Sequence, residues 1–424
     1  MKHLPPSHRT RMSGPRTVLA AAVVLTTTIG VSGCSSEPAD DRTQLTVLSW
    51  SGEDVMTPIV ESFEEANPDI NVQLTTAPPV AEYISTLQNR LGSNTAPDVF
   101  VMAAENKTNL IEGGFVMDLS DEPFMDVASE FNTATYTGPD GAEYGLSLSS
   151  WASGIMYNKG ILEEHGITEF PQDWDSFTEA LQTLKDAGEV PFLESWQGFP
   201  TSLGSSVGLA NYEQGGNVDA AIFEGDATFT ELWTEPLTPW QELFQDGLIT
   251  TDVVGLTGDQ VVDEFVNERV AMITAGPWNI TAVREGAPDL EFDFAGVPQA
   301  GGDPFYTGAA SPGWAIYSEA KEPEAAKAFL SFLASEEGVQ QFQELTNDMT
   351  TTSNFTPEID EALTQPYQAL LDGKFYLPMI SWPRYQDALY TELVAQIQLM
   401  AQGQATPEAV GTALDARLTQ EEGK

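Results

Sequence analysis

From Leu45 onward, apolar positions follow two alternating registers. Residues 45–50 (LTVLSW) form a short, almost continuous apolar run, as a strand buried on both faces requires. Val55, Ile59, Val60 and Phe63 recur at three- and four-residue steps, which predicts an amphipathic helix over 55–67, stopped by Asn67-Pro68. Residues 70–74 (INVQL) alternate as a second strand. Tyr83, Ile84, Leu87 and Leu91 mark a second helix, and Pro97-Asp98 leads into a third strand over 99–102. This β-α-β-α-β order predicts a parallel sheet with helices on both faces. Ligands of such sheets gather beyond the carboxyl ends of the strands, here Trp50 to Glu53 and Ala103 to Asn106.

A second α/β region is expected from about Trp151. Trp174, Phe177, Leu181 and Leu184 predict a helix over 173–187, and further helical patterns cover 323–333, 336–345 and 389–400. Ahead of the first strand, Lys2, Arg9, Arg11 and Arg16 precede an uncharged apolar run, 18–31. The run is shorter than the roughly 20 residues a membrane span needs, and fits a secretory signal. It ends in Val31-Ser32-Gly33-Cys34, which resembles a bacterial lipobox. That resemblance implies removal of 1–33 and lipidation of Cys34. The alternatives are an ordinary secretory signal or an uncleaved anchor. Residues 34–42 then read as a polar tether. The expected location is the outer face of the cytoplasmic membrane, extracellular or periplasmic, held by lipid alone.

The formal net charge is −47, with 64 acidic against 17 basic residues, so nucleic acid and anionic bilayers are poor partners. A single Cys excludes an internal disulfide. Of three His, His3 and His8 fall in the leader, and the remaining His165 sits at a helix end. No metal site, cofactor or His-based catalytic triad is expected. The chain contains no G-x-S-x-G elbow and no phosphate loop. Chance carboxylate pairs are unavoidable among so many acids, which leaves a secreted carbohydrate-active enzyme as an alternative. The expectation is a monomeric non-enzyme.

Several segments, in order, resemble the extracellular solute-binding proteins (family 1) of bacterial ABC importers, in the maltose and multiple-sugar group. They are Ala96-Pro97-Asp98-Val99-Phe100, 109–119 (NLIEGGFVMDL), Tyr144-Gly145-Leu146, 155–159 (IMYNK), 170–177 (FPQDWDSF), 265–278 (FVNERVAMITAGPW), 308–316 and 325–333. Asp173 replaces the Thr that commonly caps the helix of the fifth segment, and Glu268 stands where Gly is common. The resemblance implies a two-lobed periplasmic-binding-protein fold (type II), each lobe a mixed, mostly parallel sheet flanked by helices. It also implies an N-terminal lobe of 43–150 plus 301–347 and a C-terminal lobe of 151–300 plus 348–424. The implied function is capture of a sugar or oligosaccharide and delivery to the transmembrane subunits of a permease. A receptor of the same fold for another small solute, such as a polyamine or glycerol phosphate, is the alternative, although the negative charge disfavours an anionic ligand.

A sugar offers apolar C–H faces and a rim of hydroxyls, so its site needs aromatic planes beside carboxylates and amides. The nine Trp residues are therefore candidates by position. Trp278 follows Gly276-Pro277, which ends a strand and presents the next side chain from a loop; the family stacks sugar here. The other ligand-binding candidates are Trp151 at the first crossover, Glu194 with Trp196, Glu105 with Asn106, the group Trp50, Ser51 and Glu53, and Trp314, Trp382 and Tyr385. Trp174, Trp233 and Trp240 have helical neighbours and are read as core.

Overall fold

The computed structural model describes residues 41–423 apart from 79, 104, 105, 216, 217 and 347. Cys34 and the leader lie outside the described residues. Among the described residues eleven strands form two sheets: β1 (Thr43–Ser49), β2 (Ile70–Thr76), β3 (Val99–Met102), β4 (Ser149–Asn158), β5 (Phe192–Leu193), β6 (Met272–Ala275), β7 (Phe292–Ala295), β8 (Tyr306–Ala310), β9 (Gly313–Ile316), β10 (Met349–Thr350) and β11 (Phe375–Tyr376).

The first sheet has the order β2-β1-β3-β9, with β1 parallel to both β2 and β3 and only β9 antiparallel. The helix Glu53–Ala66 buries Ile59, Val60 and Phe63 of the stripe read from the sequence, with Met56 buried in place of the half-buried Val55, and Asn67 ends it by donating its N–H to the Phe63 carbonyl. Asp98 ties the layer together. Its Oδ2 accepts from the Thr46 N–H at 3.0 Å, and its Oδ1 from the Lys321 N–H at 2.7 Å. A buried carboxylate with this many donors has its desolvation offset by hydrogen bonds.

The second sheet corrects the expectation of mostly parallel pairing. Its path is β11-β8-β4-β6-β5, with β7 and β10 also on β4. Only β11–β8 and β5–β6 are parallel. The cause is the ten-residue β4, which runs against β6, β7, β8 and β10. One large apolar core draws on residues 45–148 and 310–342, another on 155–309 and 362–418, and a small third one gathers Ala152, Tyr306, Met349, Ala369, Leu370 and Phe375. β8, expected in the first lobe, is hydrogen-bonded into the second sheet, so the chain changes sheet at Ser311-Pro312 rather than near Gly301.

Two local devices follow from the sequence. Asp173 caps the helix Trp174–Ala187, its Oδ1 accepting from the Ser176 N–H at 2.8 Å. Glu268 has φ 53°, in the left-handed region. It closes the helix Gly258–Val266 with two reversed bonds, Glu268 N–H to Phe265 O and Arg269 N–H to Glu264 O, both 2.9 Å. This six-to-one and five-to-two pattern normally takes glycine at that position.

Candidate functional site

In the first sheet, β1, β2 and β3 end on one edge because they are parallel, which sets Trp50, Ser51 and Met102 side by side. In the second, the register Trp151↔Ala309 and Gly154↔Ala275 brings the start of β4 level with the ends of β8 and β6. β8 passes through Ser311-Pro312 directly into β9, whose Gly313 pairs with Met102, so these two edges adjoin at the crossover. Several of the candidate residues lie along these two edges.

Trp278 lies there in the turn Pro277–Asn279. The turn is fixed by Asn279, whose Oδ1 accepts from the Gly276 N–H at 3.0 Å. Gly276 is required for close approach, since a Cβ there would meet the Trp278 ring at 2.3 Å. Trp278 is 51% exposed, unusual for so large an apolar side chain, and meets Trp151 edge-to-face with centroids 5.6 Å apart. Trp151 is half-buried. Trp50 is also half-buried and packs edge-on against Tyr83 at 5.5 Å. Tyr83 is held in turn by exchanging hydrogen bonds with both polar groups of the Val101 backbone at 2.7 Å. Ser51 is half-buried and donates its N–H to Ser49 Oγ at 3.0 Å, while Glu53 is exposed as the first residue of its helix. Asn106 is buried; its Oδ1 accepts from the Ala103 N–H at 3.0 Å, and its Nδ2 has no hydrogen-bond partner among the described residues. Glu105 lies outside the described residues. Tyr385 is half-buried, with φ 61°.

Four candidates are corrected. Trp196 is fully buried against Phe244, with its Nε1 donating to Glu194 Oε2 at 3.3 Å. Glu194 is itself buried and also accepts from the Ser202 N–H at 3.0 Å and from the Ser202 hydroxyl. Burial pushes its carboxyl up to about 7, against the pull of those donors. Trp314 is buried against Phe329 in the first core. Trp382 is buried among Phe229 and Trp233, with its Nε1 donating to Asp219 Oδ2 at 3.2 Å. The indole of each fills core volume and leaves no open face for stacking. Trp233 and Trp240 are buried, as expected from their spacing, and Trp174 is half-buried beside Trp240.

The sequence reading passed over Gln88 and Asn109, which meet Asp387, and Thr108, which meets the Trp382 carbonyl, between the two lobes. No pattern signals them, because partners 278 positions apart in the chain leave no local trace. A groove of about 990 Å³ lies elsewhere, on the second lobe alone, lined by Trp174, Glu213, Glu235, Pro239 and Gly301. It takes in none of the candidate residues. Among the described residues no group of three or more His, Cys, Asp and Glu could hold a metal ion.

A sequence model of the family described as "Bacterial extracellular solute-binding protein" matches residues 49–340. The chain belongs to this family. Among other members, it is 26% identical over 380 residues to the maltodextrin-binding protein MdxE of Bacillus subtilis, covering 84% of each chain. A family 1 extracellular solute-binding protein from Bifidobacterium longum subsp. infantis is 32% identical, with TM-score 0.74 over 89% of this chain and 99% of that one. The complex of RafE with raffinose has TM-score 0.74 at 19% identity, over 89% and 99% of the two chains, a likeness of fold. No helix among the described residues is long and apolar enough to cross a membrane.

Proposed function

We propose that this solute-binding protein is the receptor of an ABC importer, that it captures a sugar or oligosaccharide between its two lobes, and that it passes the ligand to a membrane permease without chemistry. The observation that carries this reading is the exposed Trp278 beside Trp151 at the cleft edge of the second sheet. An exposed indole braced by a second ring offers a flat apolar face to a sugar ring. Trp50, at the facing edge of the first sheet, supplies an aromatic surface from the other lobe. The names of relatives that bind maltodextrin and raffinose support the same class of ligand.

On this reading residues 42–148 and 311–346 form one lobe, 149–310 and 348–423 the other, and ligand contacts with both shift the population toward the closed form. Cys34 carries the lipid that holds the protein at the outer face of the membrane, where two acyl chains give stable anchoring and one alone is marginal. The test is a thermal-shift screen against maltodextrins, raffinose, stachyose and chito- and xylo-oligosaccharides. A ligand at 100 times its Kd is expected to stabilise the fold by roughly 2.7 kcal/mol. Sugar recovered unchanged after incubation fits a receptor; hydrolysis products, or no shift with any sugar, refute the proposal.

A further inference from the structure

Among the described residues the hydrogen bonds between the two lobes fall in two groups: those where the chain crosses, which run on to Ser353, Asn354 and Glu358 against Val127, Ala334 and Gln343, and those that converge on one short segment away from the crossings. Asn109 Nδ2 donates to Asp387 Oδ2 at 2.6 Å, and Gln88 Nε2 reaches the same oxygen at 3.4 Å. Thr108 Oγ1 donates to the Trp382 carbonyl at 3.5 Å. The donors come from two helices of the first lobe, Val80–Gly92 and Lys107–Glu112. The acceptors come from the start of the second lobe's helix Gln386–Ala401 and the turn before it. From these contacts we infer that Asp387 is a clasp, a positioning residue that holds the lobes together through Asn109 and Gln88 and sets the fraction of closed protein independently of which ligand lies in the cleft.

A clasp needs a rigid mount, and Asp387 has one. Trp382 is pinned through its indole N–H to the buried Asp219. Gln386, also buried, donates its amide to the Met379 carbonyl, and Tyr385 enters the helix with φ 61°. These constraints aim the carboxylate at the other lobe from the first helical turn, where the helix dipole favours a negative charge. The contrast with the crossovers is geometric. The bond from Ser149 Oγ to the Ser311 carbonyl at 3.0 Å joins two strands that pass between the lobes together and survives a rotation about them. The bonds on Asp387 join groups outside the crossover segments, so parting the lobes breaks them. Trp278 acts differently, since its effect depends on the face the ligand presents.

This inference rests on the two-lobed receptor reading, and its test separates the two. Spin labels are placed at Glu82→Cys and Thr391→Cys, both exposed, in the full chain carrying Cys34→Ser. Distance distributions are measured without ligand. Asp387→Ala and Asn109→Ala are each expected to deplete the short-distance population by roughly 5- to 30-fold, the size of one charge-assisted hydrogen bond, and the double variant to add little. The exchanged pair Asn109→Asp with Asp387→Asn is expected to restore the short distance, because donor and acceptor merely trade places. Unchanged distributions in both single variants overturn the clasp, whether or not any sugar binds. Affinities for raffinose, maltotriose and chitotriose, where they bind, are expected to fall by one common factor, since the fraction of competent protein scales every apparent Kd alike. Losses that differ between the sugars make Asp387 a ligand contact and overturn the clasp equally.

Discussion

Replacing Trp278 by alanine distinguishes a stacking platform from a packing residue. The side chain is 51% exposed and its ring contact is Trp151, at 5.6 Å. An edge-to-face pair contributes about 0.5–1.5 kcal/mol beyond its area. The loss of folding stability on Trp278→Ala is therefore expected to be at most about 2 kcal/mol, well below the about 3–5 kcal/mol for a fully buried Trp such as Trp196. If the free half of the indole stacks on sugar, binding weakens by roughly 1–3 kcal/mol from lost apolar burial. That is a rise in Kd of roughly 5- to 150-fold. Calorimetric titration with the best sugar from the screen measures the first effect, and urea denaturation of the same variant the second. Trp196→Ala serves as the control, with a large stability loss. A Trp278→Ala variant that loses more than about 3 kcal/mol of stability and binds as tightly as the wild type refutes the assignment.

Three further outcomes are expected. Glu194, with its folded-state carboxyl raised to about 7 by burial, binds a proton in the native state at pH values where the unfolded chain has released it. Its contribution is full below pH ~4.5 and is lost as pH rises through ~7; stability measured against Glu194→Gln should decline across that window by on the order of 3 kcal/mol, and a flat difference refutes the assignment. Glu268→Gly relieves a left-handed conformation and is expected to raise stability by about 0.5–1 kcal/mol in urea denaturation, less whatever is lost with the 3.3 Å bond from Asn158 Nδ2; a destabilised variant counts against strain at this turn. Cys34→Ser should abolish labelling by radioactive palmitate and release the protein from the membrane fraction, and equal labelling of both forms rules out the lipid anchor.

What was legible in the sequence was what the backbone period encodes. The apolar stripe of residues 55–63 and the run over 99–102 each specify a period, and each formed the expected element. Glu268 stood out in the sequence only as a departure from a common Gly, and its left-handed conformation at a helix end is visible only in the structure. The aromatic candidates fared differently. Trp278 and Trp196 both follow a strand; Gly276-Pro277 marks a turn before the first, but an acid beside an aromatic does not tell a site from a core at the second. What separates them is the partner. Glu194, Ser202 and Phe244 enclose Trp196, whereas Gly276 lets the Trp278 ring lie along the outside of its own turn. Trp382 was misread for a related reason, because Asp219, which satisfies its indole N–H, is 163 positions away.

The crossovers indicate why so few contacts would suffice to govern closure. Asn132 is buried between the passages. Its Nδ2 donates to the Ser149 carbonyl at 2.8 Å, and its Oδ1 accepts from Ser150 Oγ at 2.9 Å and Thr351 Oγ1 at 3.1 Å. The strands between the lobes are thus held side by side by polar groups, while the two large apolar cores remain separate clusters. On the two-lobed receptor proposed above, a rotation about these strands leaves both of these cores intact. The large hydrophobic terms that stabilise each lobe then cancel between the open and closed forms. What remains is the set of contacts that differ: the bonds on Asp387, the bond from Thr108 to the Trp382 carbonyl, the edge contact of Phe131 with Phe375 at 4.6 Å, and whatever lies between the lobes. Driving such an equilibrium from 1:99 to 99:1 takes about 5.5 kcal/mol of differential binding. A braced indole and a few hydrogen bonds to sugar hydroxyls, each about 1 kcal/mol, reach that total without any change inside either core.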